Sequence, residues 1–205
     1  MSEDREKRKG ITRRGFMGSV AASGAALGIG TLLPKEAEAG VVTRNIVTIT
    51  VNGQKHELEI GNQPNQIQPE QTLAETLRET LGLTGTKISC DHGACGLCTV
   101  IMDGKAVLSC TLLTVECDGR QITTVEGLED SVTGKLDPLQ QAFIDHTAFQ
   151  CGFCTPGILM SSKALLMQTP TPTAEQVKHA LSGNFCRCIS HYHVVDAVMA
   201  AGKGR

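Results

Sequence analysis

The chain is predicted to be an α+β protein in which a hairpin-rich unit with one helix precedes an all-helical unit. Three observations point there. A wholly β-branched run, Ile46-Val47-Thr48-Ile49-Thr50-Val51, leads into the pair Asn52-Gly53; the run favours a strand and the pair a two-residue hairpin turn. After roughly Gly127, alternation gives way to helix-capping signals and helical spacing. Eight of the nine cysteines fall into two quartets, one in each unit.

The elements of the first unit follow in order. Lys55 to Ile60 alternates polar and apolar residues and reads as the return strand of the first hairpin. Gln63 to Glu70 is a mostly polar loop. Thr72-Leu73-Ala74-Glu75 is a capping box. It opens a helix with Leu73, Leu77 and Leu81 on one face, and Gly82 is placed to end it. A glycine-bearing loop runs from Cys90 to Cys98. Thr99–Met102 and Lys105–Cys110 form a second hairpin around Asp103-Gly104, and Gln121–Val125 is the last strand.

In the second unit, Asp137-Pro138 is an N-cap followed by proline at the first helical position, with Leu139, Ala142 and Phe143 as the apolar face. Thr155-Pro156 repeats that signal for a helix reaching about Gln168, which Thr169-Pro170-Thr171-Pro172 breaks. Thr173-Ala174-Glu175-Gln176 is another capping box, and Gly183 is placed to end its helix. His193–Ala201 carries Val194, Val195, Val198 and Met199 at helical spacing. The two units share no internal repeat.

Composition bounds the rest. The 205 residues are 40% hydrophobic but only 3% aromatic, so the core is aliphatic, and bound cofactors would help to stabilise such small units. A net charge of -2 gives no electrostatic case for nucleic acid. Basic residues at Arg5, Lys7, Arg8 and Lys9 precede Thr12-Arg13-Arg14-Gly15-Phe16-Met17, an uncharged run Gly18–Leu33, and Ala37-Glu38-Ala39. Residues 1–39 are therefore expected to be a twin-arginine export signal cleaved after Ala39, which would make the mature protein periplasmic. The alternative is a retained membrane anchor. The apolar run has 16 residues and four glycines, short of the roughly 20 that span a bilayer. An exported chain rich in cysteine would ordinarily be read as disulfide-bonded. The signal instead resembles that of proteins that fold around a cofactor before crossing.

The first quartet is Cys90, Cys95, Cys98 and Cys110, spaced C-x4-C-x2-C-x11-C. The x4-x2 spacing matches the plant-type [2Fe–2S] loop, in which four thiolates hold two irons and two sulfides. Zinc sites more often use C-x2-C pairs. Gly93 and Gly96 are expected at positive φ, turning N–H groups toward the sulfurs. With four cysteines available, His92 is expected at the surface or beside a ligand. The second quartet is Cys151, Cys154, Cys186 and Cys188, two close pairs separated by 31 residues. Its C-x2-C pair stands at a helix start, which favours anions. On spacing alone this quartet would also accept zinc or act as a redox dithiol, although no βαβ setting for the latter is present. Cys117 is left over and is expected to be a buried structural thiol.

Three segments together carry a resemblance: Gly93-Ala94-Cys95-Gly96-Leu97-Cys98-Thr99-Val100, Gln150-Cys151-Gly152-Phe153-Cys154-Thr155-Pro156-Gly157, and Ser182-Gly183-Asn184-Phe185-Cys186-Arg187-Cys188. In this order they closely resemble the iron–sulfur subunit of the molybdenum hydroxylases, the xanthine dehydrogenase / aldehyde oxidoreductase family. With the export signal, the likeness is greatest to periplasmic aldehyde oxidoreductases. The resemblance implies a β-grasp ferredoxin domain over 44–122 and a four-helix domain over 128–202, each with one [2Fe–2S] cluster. It implies the eight quartet cysteines as ligands, with Gln150 and Cys188 against the pterin edge of a molybdenum cofactor on a large partner subunit. It also implies a relay from molybdenum through the helical-domain cluster to the ferredoxin-domain cluster, then to an FAD subunit or another acceptor. Catalysis would belong to the partner, and no membrane attachment would remain after signal cleavage.

One departure stands out. The family commonly continues C-R-C-T-G-Y, where this chain has Cys188-Ile189-Ser190-His191-Tyr192-His193. Aligned without a gap, Ser190 replaces the Gly and His191 the Tyr. His191 and His193 are expected to cap the last helix, with tuning of the potential or partner contact as the alternative. A free-standing exported two-cluster ferredoxin is the competing function, and the helical unit argues against it, because one centre would suffice for a shuttle.

Overall fold

The computed structural model describes residues 45–188 and 190–203, all within one compact unit. The export signal expected over residues 1–39 lies outside them. Five strands form a mixed sheet: β1 Ile46–Val51, β2 Gln54–Glu59, β3 Thr99–Met102, β4 Lys105–Leu108 and β5 Gln121–Thr123, in spatial order β2-β1-β5-β3-β4. The two hairpins are antiparallel, and β5 slots between them, parallel to β1 and antiparallel to β3. Both hairpin turns have φ > 0 at both central residues, Asn52/Gly53 and Asp103/Gly104, as type I′ turns require. Val47, Ile49 and Val51 alternate inward, where they meet Leu73 and Leu77 of the first helix and the buried Cys117.

That helix departs from expectation. Its capping box forms, with Glu75 N–H donating to the Thr72 hydroxyl at 3.3 Å and Thr72 N–H to the Glu75 carboxylate at 2.8 Å. After one turn, α1 (Leu73–Glu75) widens into a π-helical segment over Thr76–Thr80, where Leu81 N–H reaches back five residues to Thr76 O at 3.0 Å. A 2.7 Å hydroxyl–hydroxyl bond from Thr76 to Thr114 pins the point of widening. Gly82, at φ +70°, ends the segment as expected.

Two strands stop early, for identifiable reasons. β4 ends at Leu108, where the Ser109 N–H and hydroxyl both donate to Cys98 O, at 3.3 and 2.7 Å, and the chain enters a 3-10 turn, Ser109–Thr111, that carries Cys110. β5 ends at Thr123 because the Asn52 side chain takes the Thr124 N–H and donates to its hydroxyl, both at 2.9 Å.

Four helices follow: α2 Pro138–Asp145, α3 Thr155–Gln168, α4 Ala174–Ala180 and α5 His191–Lys203. Asp137 and Thr173 cap α2 and α4 as expected. α3 differs: its N-cap is Cys154, without a side-chain cap bond, and Thr155 is already helical. α4 stops at Ala180, short of Gly183, and α5 begins at His191, so both histidines lie in its first turn. The helical core gathers Leu139, Phe143, Ile158, Val177, Val194 and Val198, and it also takes in Cys95 and Leu97 from the first cysteine loop. α3 packs on β3 through Met160 and Ala164 against Ile101. The two halves thus share buried surface.

Candidate metal centres

The first quartet is assembled by the loop after α1 and the turn after β4. Gly93 and Gly96 take φ +77° and +72°, as expected, and Asp91 joins them at +55°. These reversals aim N–H groups at the sulfurs. Ala94 N–H donates to Cys90 Sγ at 3.3 Å, and Gly93 N–H faces the Cys110 thiol. Cys90 lies against Cys95, and Cys110 against Cys98. Cys95, Cys98 and Cys110 are buried, whereas Cys90 is partly exposed beside the exposed Asp91, His92 and Ala94. The His92 ring meets the Cys90 carbonyl and stands at the surface beside that ligand candidate.

The second quartet joins the start of α3 to the segment between α4 and α5. Cys151 lies against Cys188, and Cys154 against Cys186. Cys154 is buried, Cys186 and Cys188 are half-buried, and Cys151 is exposed next to the exposed Gln150. Phe153 N–H faces Cys151, while the Ser190 N–H and hydroxyl face Cys186. Among the described residues, no three His, Cys, Asp or Glu side chains converge as on a single ion. The thiols instead meet two by two. A [2Fe–2S] centre takes two thiolates on each of its two irons, so both donor sets fit that group. Cys117 faces neither site. It is buried in the sheet core, where its thiol reaches Leu113 O at 3.5 Å.

The structure also reveals a join that sequence spacing did not. Phe185 N–H donates to Cys95 O, and the buried Asn184 amide donates to Gly96 O, each at 2.9 Å. A β-carbon on Gly96 would lie 2.4 Å from Gly183 O, and one on Gly157 would lie 2.3 Å from Gly96 O. The cysteine loops of the two halves are therefore in backbone contact. Asn184 and Phe185 were visible as motif residues, but nothing in their spacing disclosed a partner 88 or more positions away.

The thiols are electrically unequal. The His92 N–H, then the Cys95 thiol, bring Cys90 down to about 6. At Cys186 burial opposes ionisation, but the Ser190 hydroxyl and N–H, Cys154 and the Cys188 N–H outweigh it and bring that thiol to about 6 as well. Burial, aided by Cys98, pushes Cys110 up to about 11; burial, aided by Cys186, pushes Cys154 up to about 12; and burial, aided by Glu116, pushes Cys117 up to about 11. The thiolate is the nucleophile. In cluster-free protein at pH 7, iodoacetamide should therefore alkylate Cys90 and Cys186 well before Cys110, Cys154 and Cys117. A fall to pH 5 protonates the first two and should slow their labelling about tenfold. Peptide mass spectrometry reads both effects, and equal rates at all five would contradict them.

Comparison with known proteins agrees with this geometry. A family model described as a 2Fe-2S iron-sulfur cluster binding domain matches residues 48–144, and one described as a [2Fe-2S] binding domain matches 124–199. The nicotine 6-hydroxylase small subunit of Paenarthrobacter nicotinovorans is 48% identical over 155 residues, 76% of this chain and 88% of that protein. The aldehyde oxidoreductase iron-sulfur-binding subunit PaoA of Escherichia coli is 39% identical, over 77% of this chain and 72% of that one. The solved quinoline 2-oxidoreductase of Pseudomonas putida 86 superposes with a TM-score of 0.71 at 39% identity, covering 78% of this chain and 94% of that chain. The aldehyde oxidoreductase of Desulfovibrio gigas gives 0.69 at 41% identity over 77% of this chain, which amounts to 17% of that longer polypeptide. The chain belongs to the iron–sulfur electron-transfer subunits of the xanthine dehydrogenase / aldehyde oxidoreductase family of molybdenum hydroxylases, with a ferredoxin-type [2Fe–2S] domain followed by a helical one.

Proposed function

We propose that Cys90, Cys95, Cys98 and Cys110 hold one [2Fe–2S] centre and Cys151, Cys154, Cys186 and Cys188 the other. In this reading the helical domain docks on the molybdenum subunit, with Gln150 and Cys188 at the pterin edge, and electrons leave through the ferredoxin domain toward FAD or another acceptor. Bound there, the two centres supply one-electron carriage. The chain's own residues hold them, aim N–H groups at their sulfurs and keep the two loops in contact. Export by the twin-arginine route would place the complex in the periplasm. The substrate would be oxidised on the partner, as an aldehyde or a related compound.

One observation carries the docking direction. Of the five described aromatic residues, Phe143 is buried, while Phe149, Phe153, Phe185 and Tyr192 are 38%, 47%, 60% and 81% exposed. All four lie within four residues of a second-quartet cysteine. Exposed aromatics gathered around one site are the anchors that protein interfaces favour. At the other end, the half-exposed Cys90 and its polar neighbours support an exit for electrons.

Purification of the tagged chain from the periplasmic fraction tests this. A pterin-bearing large subunit is expected to come with it in equal amount, and to be lost when Phe153 and Phe185 are both replaced by glutamate. A monomer carrying both centres would support a free-standing ferredoxin instead, and confinement to the cytoplasm would refute the location.

A further inference from the structure

Ser190 stands where the family resemblance expects glycine, directly after the C-x-C pair and Ile189. Its side chain is not at the surface: the residue is 2% exposed. Its hydroxyl lies 3.5 Å from Cys186 Sγ, a distance suited to a hydrogen bond to sulfur. Buried hydroxyls need partners, and this sulfur is the one the structure supplies. A thiolate bound to iron carries no proton, so in the loaded protein the serine must be the donor and the sulfur the acceptor.

We propose that Ser190 sets the reduction potential of the helical-domain centre, through an O–H···S bond to Cys186 that raises that potential above the value a glycine would leave. Adding an electron increases the negative charge on the cluster and its sulfurs. A donor fixed at Sγ stabilises the reduced form more than the oxidised one. The serine end of the bond is buried and the sulfur end half-buried, so competition from solvent is reduced. In the relay direction proposed above, a higher potential here favours uptake from the molybdenum subunit and reduces the driving force for the step to the first quartet. Ser190 acts through Cys186 and is a positioning residue. The inference rests on the reading that Cys186 is a cluster ligand.

The test is a redox titration followed by electron paramagnetic resonance on the intact subunit or complex, comparing wild type with Ser190→Ala, Ser190→Gly and Ser190→Thr. Two [2Fe–2S] signals in the wild type, one of them lost in Cys186→Ala, establish the ligand reading independently. Ser190→Ala and Ser190→Gly should then move one midpoint negative, by a tenfold loss in the reduction equilibrium, about 59 mV for a one-electron couple. The other midpoint should stay in place, and Ser190→Thr should restore the first. In D2O, the signal that moves should show coupling to an exchangeable deuteron that is lost in Ser190→Ala. Ser190→Gly guards against misfolding, because it returns the residue expected from the resemblance. Two signals with unmoved midpoints in both Ser190→Ala and Ser190→Gly would overturn the proposal. A wild type with one signal or none would overturn the ligand reading instead.

Discussion

Gly157→Ala is expected to disturb the first cysteine quartet, although Gly157 belongs to the helix that carries the second. A methyl group there would sit 2.3 Å from Gly96 O and 2.9 Å from both Leu97 Cα and Leu97 O. These are backbone atoms and cannot rotate aside. Gly96 is also held by the Asn184 amide, which donates to the same carbonyl, and by the close approach of the Gly183 backbone. Relief must come from moving the Cys95–Cys98 segment or from withdrawing α3. Overpacking of this kind costs about 1–3 kcal/mol. The expected result is a thermal midpoint lowered by several degrees, with a changed spectrum for the ferredoxin-domain centre. Gly183→Ala is the control: it belongs to the same contact, but its β-carbon would meet nothing within 4 Å. It should stay within about 0.5 kcal/mol of wild type. An unchanged first-centre spectrum and midpoint in Gly157→Ala would show that the loops do not meet as described.

Cys188→Ser is expected to remove the helical-domain centre and leave the ferredoxin-domain centre in place. Cys188 lies against Cys151 and takes no part in the join, which is made by Asn184 and Phe185 with Cys95 and Gly96. Iron should fall from about four to about two per chain, the content of one lost two-iron centre. The remaining signal should keep its shape, while electron exit from the molybdenum subunit should fail. Loss of both signals together would show that the join depends on a filled second site, and that neither half carries its centre independently.

Legibility varied with the range of the interaction that decides each feature. Asn52-Gly53 and Asp103-Gly104 were readable as turns because their φ values follow from the residue types themselves. The caps at Thr72, Asp137 and Thr173 were readable because donor and acceptor lie within three residues. The early end of β5 was not, because Asn52 captures Thr124 from 72 residues away. The π-helical widening follows a Thr76–Thr114 bond across 38 residues. The misplaced start of α3 has a different cause: Thr155-Pro156 is a real cap signal, but Cys154 takes the cap position, and its thiol lies against Cys186.

The amino-acid sequence by itself determined which sulfurs are available, the local turns and caps that present them, and the order of a strand-rich half before a helical one. These rest on short-range sterics and hydrogen bonding, which act the same way in any fold. Tertiary structure alone decided which thiol faces which and how the two cysteine loops touch. It also decided that Ser190 spends its hydroxyl on a sulfur while four aromatics stay in solvent. Those features depend on close approach between segments distant in sequence, and only packing of the whole chain brings such segments together.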